Sequence, residues 1–66
     1  MTDKTWYSID LFKRHTGPLK TYLRESGIYF EPSEMGPLVH FECLMTESEC
    51  EQVNSFLDSY FESIKN

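Results

Sequence analysis

The chain has 66 residues, 11 of them acidic and 6 Lys or Arg, so it carries a formal charge of −5 and has room for one small domain around one core. Aromatic side chains make up 15% of it, which argues against disorder. No apolar run approaches the roughly 20 residues that span a bilayer, and residues 1–6 lack the apolar stretch and small-residue site of a signal peptide. A single cytoplasmic domain over residues 1–66 is therefore expected, with no membrane partner.

Residues 6–12 read as a first strand. Tyr7, Ile9 and Leu11 alternate with Trp6, Ser8, Asp10 and Phe12, and the first set makes the better core face. Residues 13–17 form a polar connection to a short helix, with Thr16 or Gly17 as its cap and Pro18 at a first helical position. Leu19, Tyr22 and Leu23 supply one apolar stripe. Gly27 then provides the left-handed residue that ends the helix, and Ile28 covers Leu23 as in a Schellman ending.

Residues 28–31 read as a second strand closed by Pro32, followed by turn chemistry over residues 32–37. A third strand over residues 38–44 places Val39, Phe41 and Cys43 on one face, and Leu38, His40, Glu42 and Leu44 on the other. The two strands are expected to pair as a hairpin across a loop of about six residues. Thr46 to Glu49 fit a capping box. Beyond it Cys50, Val53, Leu57, Tyr60, Phe61 and Ile64 recur at helical spacing, with Phe56 beside them.

The order β-α-β-β-α implies an α+β fold: a three-stranded sheet in the order 1-3-2 with both helices packed on one face. Both helices must share that face because no other element can bury the apolar sides of the strands, and the favoured order amounts to a split β-α-β unit without a closing strand. The opposite sheet face is then left without a helix. It displays Trp6, Ser8, Asp10 and Phe12, Tyr29 and Glu31, and the His40 side of the third strand. Large aromatics with acids around them suit a protein interface. Packing of Trp6 and Phe12 around the sheet edge is the plainer alternative.

Charge is unevenly spread. Residues 1–33 hold four acids and five bases, a net of +1, whereas residues 34–66 hold seven acids and Lys65, a net of −6. Glu47, Glu51, Asp58 and Glu62 share one outer stripe of the last helix. That field repels phosphate, so direct binding of nucleic acid is disfavoured and a neutral or basic protein surface is favoured. An open aromatic sheet can also stack RNA bases, but here Asp10, Glu31 and Glu42 sit among the rings.

Catalytic equipment is sparse. A Ser8/His40/Asp10 arrangement can be drawn, as on many small polar sheets, but no activated nucleophile is assigned. Cys43 and Cys50 are too few for a disulfide scaffold and read as two buried thiols, and no His or Cys spacing suggests a metal. The expectation is a protein that is not an enzyme and needs no cofactor or metal. Its expected role is a small acidic protein-binding module, a regulator or inhibitor of the kind encoded by phages and mobile elements, acting on a nucleic-acid-binding protein. Its docking residues would be Trp6, Phe12, Tyr29 and His40 on the sheet, and Glu47, Glu51, Asp58 and Glu62 on the helix. The alternative is a homodimer, a structural or small-ligand-binding subunit with its site at the dimer seam, joined through the open face or the free edge of the first strand.

Overall fold

In the computed structural model, which describes residues 3–65, the chain runs through β1 (Thr5–Phe12), a 3₁₀ turn (Lys13–His15), α1 (Thr16–Glu25), β2 (Tyr29–Met35), β3 (Leu38–Met45) and α2 (Glu47–Ser63). The strands form one sheet in the order β1-β3-β2, and β3 is antiparallel to both neighbours. The α+β class, the element order and the strand order are those read from the sequence.

Alternation in β1 and β3 divides inside from outside. Leu11, Val39, Phe41, Cys43 and Met45 are buried together with Leu19 and Leu23 of α1, Ile28, and Val53 of α2. Both helices therefore cover the same sheet face. An aromatic seam joins them: Tyr22 stacks on Phe56 at 4.5 Å, and His15 meets Tyr60 and Phe61 edge-on. His15 Nδ1 also lies 3.0 Å from the Tyr60 hydroxyl. Tyr7 and Ile9 of β1 and Cys50 of α2 are only half-buried, and Ile64 ends α2 largely exposed instead of extending the core stripe.

Both helix ends written in the sequence are present. The Glu49 N–H donates to Thr46 Oγ1 at 3.1 Å and the Thr46 N–H donates to Glu49 Oε1 at 2.9 Å, completing the capping box. At the end of α1, Gly27 has φ +71°, the Ile28 N–H donates to Leu23 O and the Gly27 N–H donates to Arg24 O. This is the Schellman pair of bonds, with Ile28 and Leu23 both buried. The start of α1 differs from expectation. Residues 13–15 wind into the 3₁₀ turn, so His15 is the cap residue and Thr16 is already helical and buried, its hydroxyl donating to Lys13 O at 2.9 Å.

The larger correction concerns β2, which does not stop at Pro32 but runs to Met35. Met35 pairs with Leu38, so the hairpin loop is the two residues Gly36 and Pro37 and not a six-residue turn. Gly36 has φ +66°, the left-handed value required at the first central position of such a turn. The closing pair of a two-residue hairpin is hydrogen-bonded, and bonded and non-bonded pairs alternate along an antiparallel ladder. Tyr29, Glu31 and Ser33 therefore turn their backbone groups toward β3, whereas the nitrogen of Pro32 faces the outer edge. Proline is tolerated there because the strand interior asks for no N–H at that position.

Candidate functional site

The registers place the uncovered sheet face in rows of three. Trp6, Leu44 and Tyr29 form one end row, and Phe12, Leu38 and Met35 form the other. Between them lie Ser8, Glu42 and Glu31, then Asp10, His40 and Ser33. Two apolar rows thus bracket a polar band. Among the described residues, the large hydrophobic side chains left exposed are Trp6, Phe12, Tyr29, Met35 and Ile64. All but Ile64 lie on this face. Trp6 and Phe12 do not fold around the edge to finish the core: they are 51% and 49% exposed.

The end rows are held in place. Trp6 and Tyr29 meet edge-on at 6.1 Å across Leu44, and the Arg14 guanidinium lies 5.3 Å from the centre of the Phe12 ring. In the polar band His40 is gripped from both sides, with Nδ1 at 2.6 Å from Asp10 Oδ1 and Nε2 at 2.5 Å from Glu42 Oε2. The Ser8 hydroxyl donates to that same Glu42 oxygen at 2.9 Å, and the Tyr29 hydroxyl donates to Glu31 Oε2 at 2.6 Å.

Titration follows from these bonds. The hydrogen bond to Glu42, then that to Asp10, raises the His40 pKa above its ordinary 6.5. The bond from His40, then that from Ser8, lowers Glu42 below the usual carboxylate value. Tyr29 is raised by the carboxylate it bonds, Glu31. A Ser8–His40 nucleophile and base pair is not formed: the Ser8 hydroxyl serves Glu42, and both imidazole nitrogens are occupied by carboxylates. Among the described residues no group of His, Cys, Asp and Glu is arranged to hold a metal ion.

Two carboxylates grip the imidazole and a third, Glu31, lies in the same band, and Asp10, Glu31 and Glu42 each keep a second oxygen without a hydrogen-bond partner among the described residues. A shallow depression of about 690 Å³, lined by Asp10, Ser33, Met35, Leu38 and His40, opens beside them. The face can thus accept N–H donors at its centre and apolar groups at both ends.

The structure brings Trp6, Phe12, Tyr29 and His40 together on this one face. Glu47, Glu51, Asp58 and Glu62 are all exposed on α2, which packs on the opposite side of the sheet, so the two sets of residues do not form one site. Ser33 and Met35 belong to the face but were not expected there. Their signal was the Gly36-Pro37 dipeptide, which reads as a two-residue turn and extends β2 to Met35. Cys43 and Cys50 are unbridged. Burial, then the nearby Glu42 and Cys50, pushes the Cys43 thiol up to about 11. Among the described residues no helix is long and apolar enough to cross a membrane. Comparison with known proteins yields no match to any family model, curated protein or solved structure.

Proposed function

We propose that this chain is an acidic protein-docking module that regulates or inhibits a larger protein by occupying its surface through the uncovered sheet face. The observation that carries the reading is the segregation of Trp6, Phe12, Tyr29 and Met35 onto one face, around carboxylates with free acceptor oxygens. Exposed aromatic anchors flanking a polar centre match the make-up of interface hot spots. The complementary partner surface carries one or more Arg or Lys side chains between apolar groups, and Arg suits it best because its planar fork pairs with carboxylates. A protein surface that otherwise grips nucleic acid has that chemistry. The stripe of Glu47, Glu51, Asp58 and Glu62 adds a field that draws a basic partner in.

The test is affinity capture from the native host, with proteins quantified for the wild type, Trp6→Ala, Tyr29→Ala and the control Glu25→Ala. Glu25 is exposed at the end of α1, away from the sheet face. The expected result is a captured protein lost with both aromatic variants and retained by the control. Equal capture by all four chains sinks the reading.

A further inference from the structure

We infer that a second copy of this chain pairs antiparallel with the free edge of β1, about a two-fold axis through Ile9, making one continuous six-stranded sheet. The inference stands on backbone register and does not depend on the docking reading.

The two edges of the sheet are not equivalent. The Lys13 N–H donates to Pro37 O at 3.2 Å, and these residues are the next partners after Phe12 and Leu38 in the β1–β3 register. By the alternation of an antiparallel ladder, Tyr7, Ile9 and Leu11 direct their backbone groups to β3. Trp6, Ser8, Asp10 and Phe12 direct theirs outward. On the other edge the outward positions of β2 are Phe30, Pro32 and Glu34, and proline removes the middle donor. The edge of β2 is therefore blocked at its centre, and Lys13 bridges to Glu34 beside it at 3.0 Å. The edge of β1 keeps every outward donor, has no proline, and carries Asp10 as its only charged side chain. Sheet proteins ordinarily defend an exposed edge with charge, proline or a bulge, and this one has none of those except a single acid.

Side chains select the register. Opposed residues must share a face, so β1 can meet its copy about Ser8, Ile9 or Asp10. Centring on Asp10 sets two carboxylates directly opposite each other, which is unfavourable. Centring on Ser8 sets Trp6 opposite Asp10. Centring on Ile9 sets Trp6 opposite Phe12, Ser8 opposite Asp10, Tyr7 opposite Leu11 and Ile9 opposite itself. Aromatic meets aromatic, apolar meets apolar, and Asp10 meets an uncharged Ser8 instead of a like charge, the Ser8 hydroxyl proton staying with Glu42. Each carboxylate already has His40 beside it. In this register the outward groups of Trp6 and Ser8 bond those of Phe12 and Asp10 on the copy, so every edge donor is used.

The core points the same way. Val39, Phe41, Cys43 and Met45 of β3 are buried, but Tyr7 and Ile9 on the same face of β1 are only half-buried, although they pack against the core. A second β1 beside them continues the apolar layer across the seam. On the uncovered face, the Trp6–Phe12 contacts join the two rows of aromatics into one surface.

The test is sedimentation of the wild type and Ser8→Pro from about 10 µM to about 1 mM, the range a small interface of this kind requires. Proline at Ser8 removes an outward N–H and none directed at β3, and the symmetry doubles the loss. The expected result is a wild type that dimerises on concentration and a Ser8→Pro variant that stays monomeric with an unchanged circular dichroism spectrum. A wild type that stays monomeric overturns the inference, and so does a dimer that survives in a folded Ser8→Pro. Should that variant not fold, amide exchange of the wild type decides: Trp6, Ser8, Asp10 and Phe12 gain protection on concentration, or the inference fails. Register is read from Ile9→Cys in a Cys50→Ser background. Non-bonded pairs put Cα atoms about 4.5 Å apart, within disulfide reach. Air oxidation then gives a covalent dimer, and its absence in a chain that self-associates removes the Ile9 axis.

Discussion

Replacing Thr46 by alanine removes the hydroxyl that accepts the Glu49 N–H at 3.1 Å and leaves a donor of the first helical turn without a partner. Loss of a threonine cap costs about 1 kcal/mol. A chain of this length is expected to have roughly 3–10 kcal/mol of total stability, at about 0.05–0.15 kcal/mol per residue. The one substitution therefore removes between a tenth and a third of it. For a domain of this size about 1 kcal/mol corresponds to a fall of roughly 4–8 °C in Tm. Glu49→Ala removes the reciprocal bond, which the Thr46 N–H makes to Glu49 Oε1 at 2.9 Å, and with it a carboxylate at the positive end of the helix. Because the two bonds share one turn, the double variant should lose less than the sum of the single losses. Urea denaturation followed by Trp6 fluorescence and by circular dichroism measures all four corners, with Thr46→Ser as the conservative control. The reasoning is refuted if Thr46→Ala lies within about 0.3 kcal/mol of the wild type, well under the cost of a lost cap. It is equally refuted if serine fails to restore the loss.

Three further outcomes are expected. His40 should titrate above 6.5 by NMR and move back toward 6.5 in Asp10→Asn and in Glu42→Gln. A raised histidine pKa adds stability that is complete below the unfolded value near 6.5 and is lost as pH rises through the folded value. The lowered Glu42 adds stability that is present above its unfolded value near 4.5 and is lost as pH falls through the folded one. The wild type should therefore be more stable near pH 5.5 than near pH 8.5, and Glu42→Gln should flatten that difference; a midpoint that rises with pH contradicts the pairing. In the native protein a thiol reagent at pH 8 should modify half-buried Cys50 and spare Cys43, whose thiol is buried and held up to about 11, until urea unfolds the chain. Glu51→Lys/Asp58→Lys should reduce the salt dependence of association with a basic partner and leave stability unimpaired, since like charges on one helix stripe do not stabilise it. An unchanged salt slope would leave the helix no part in recruitment.

Elements that depend on local chemistry were legible in the letters. The Thr46–Glu49 box, and the Gly27 ending with Ile28 over Leu23, each need a few neighbouring residues of fixed type, and each formed as read. The strand order 1-3-2 was legible for a different reason: strands two and three pair as a hairpin, and a split β-α-β layout with both helices on one face sets strand three between the other two. The length of β2 was not. Pro32 reads as a stop when taken by itself, and whether it stops a strand depends on which edge its nitrogen faces. That parity is set at the Gly36-Pro37 turn, four residues further on, and Met35 was lost from the candidate face with it. The start of α1 failed on a smaller scale. Thr16 carries a capping side chain, but the buried hydroxyl bonds back to Lys13 O and His15 takes the cap position without a side-chain bond.

The separation of the two candidate surfaces decides what each can contribute. The aromatic face and the acidic stripe lie on opposite sides of a body whose Cα dimensions are 40 × 26 × 16 Å, so a partner seated flat on the sheet does not touch Glu47, Glu51, Asp58 or Glu62. Through the protein layer, and with a Debye length of about 8 Å at physiological salt, those charges act on a seated partner weakly. Their field acts mainly during approach, where it raises the frequency of encounters without adding contacts. The carboxylates of the sheet face are different: Asp10, Glu31 and Glu42 stand between two apolar rows that exclude water once covered, and a cation paired there is held by charge-assisted bonds. Docking by this chain should therefore divide kinetically. Helix variants change the association rate and its dependence on salt, whereas Trp6, Tyr29 and Glu42 variants change the dissociation rate. A helix variant that shortened the lifetime of the complex would place the partner on α2 and not on the sheet.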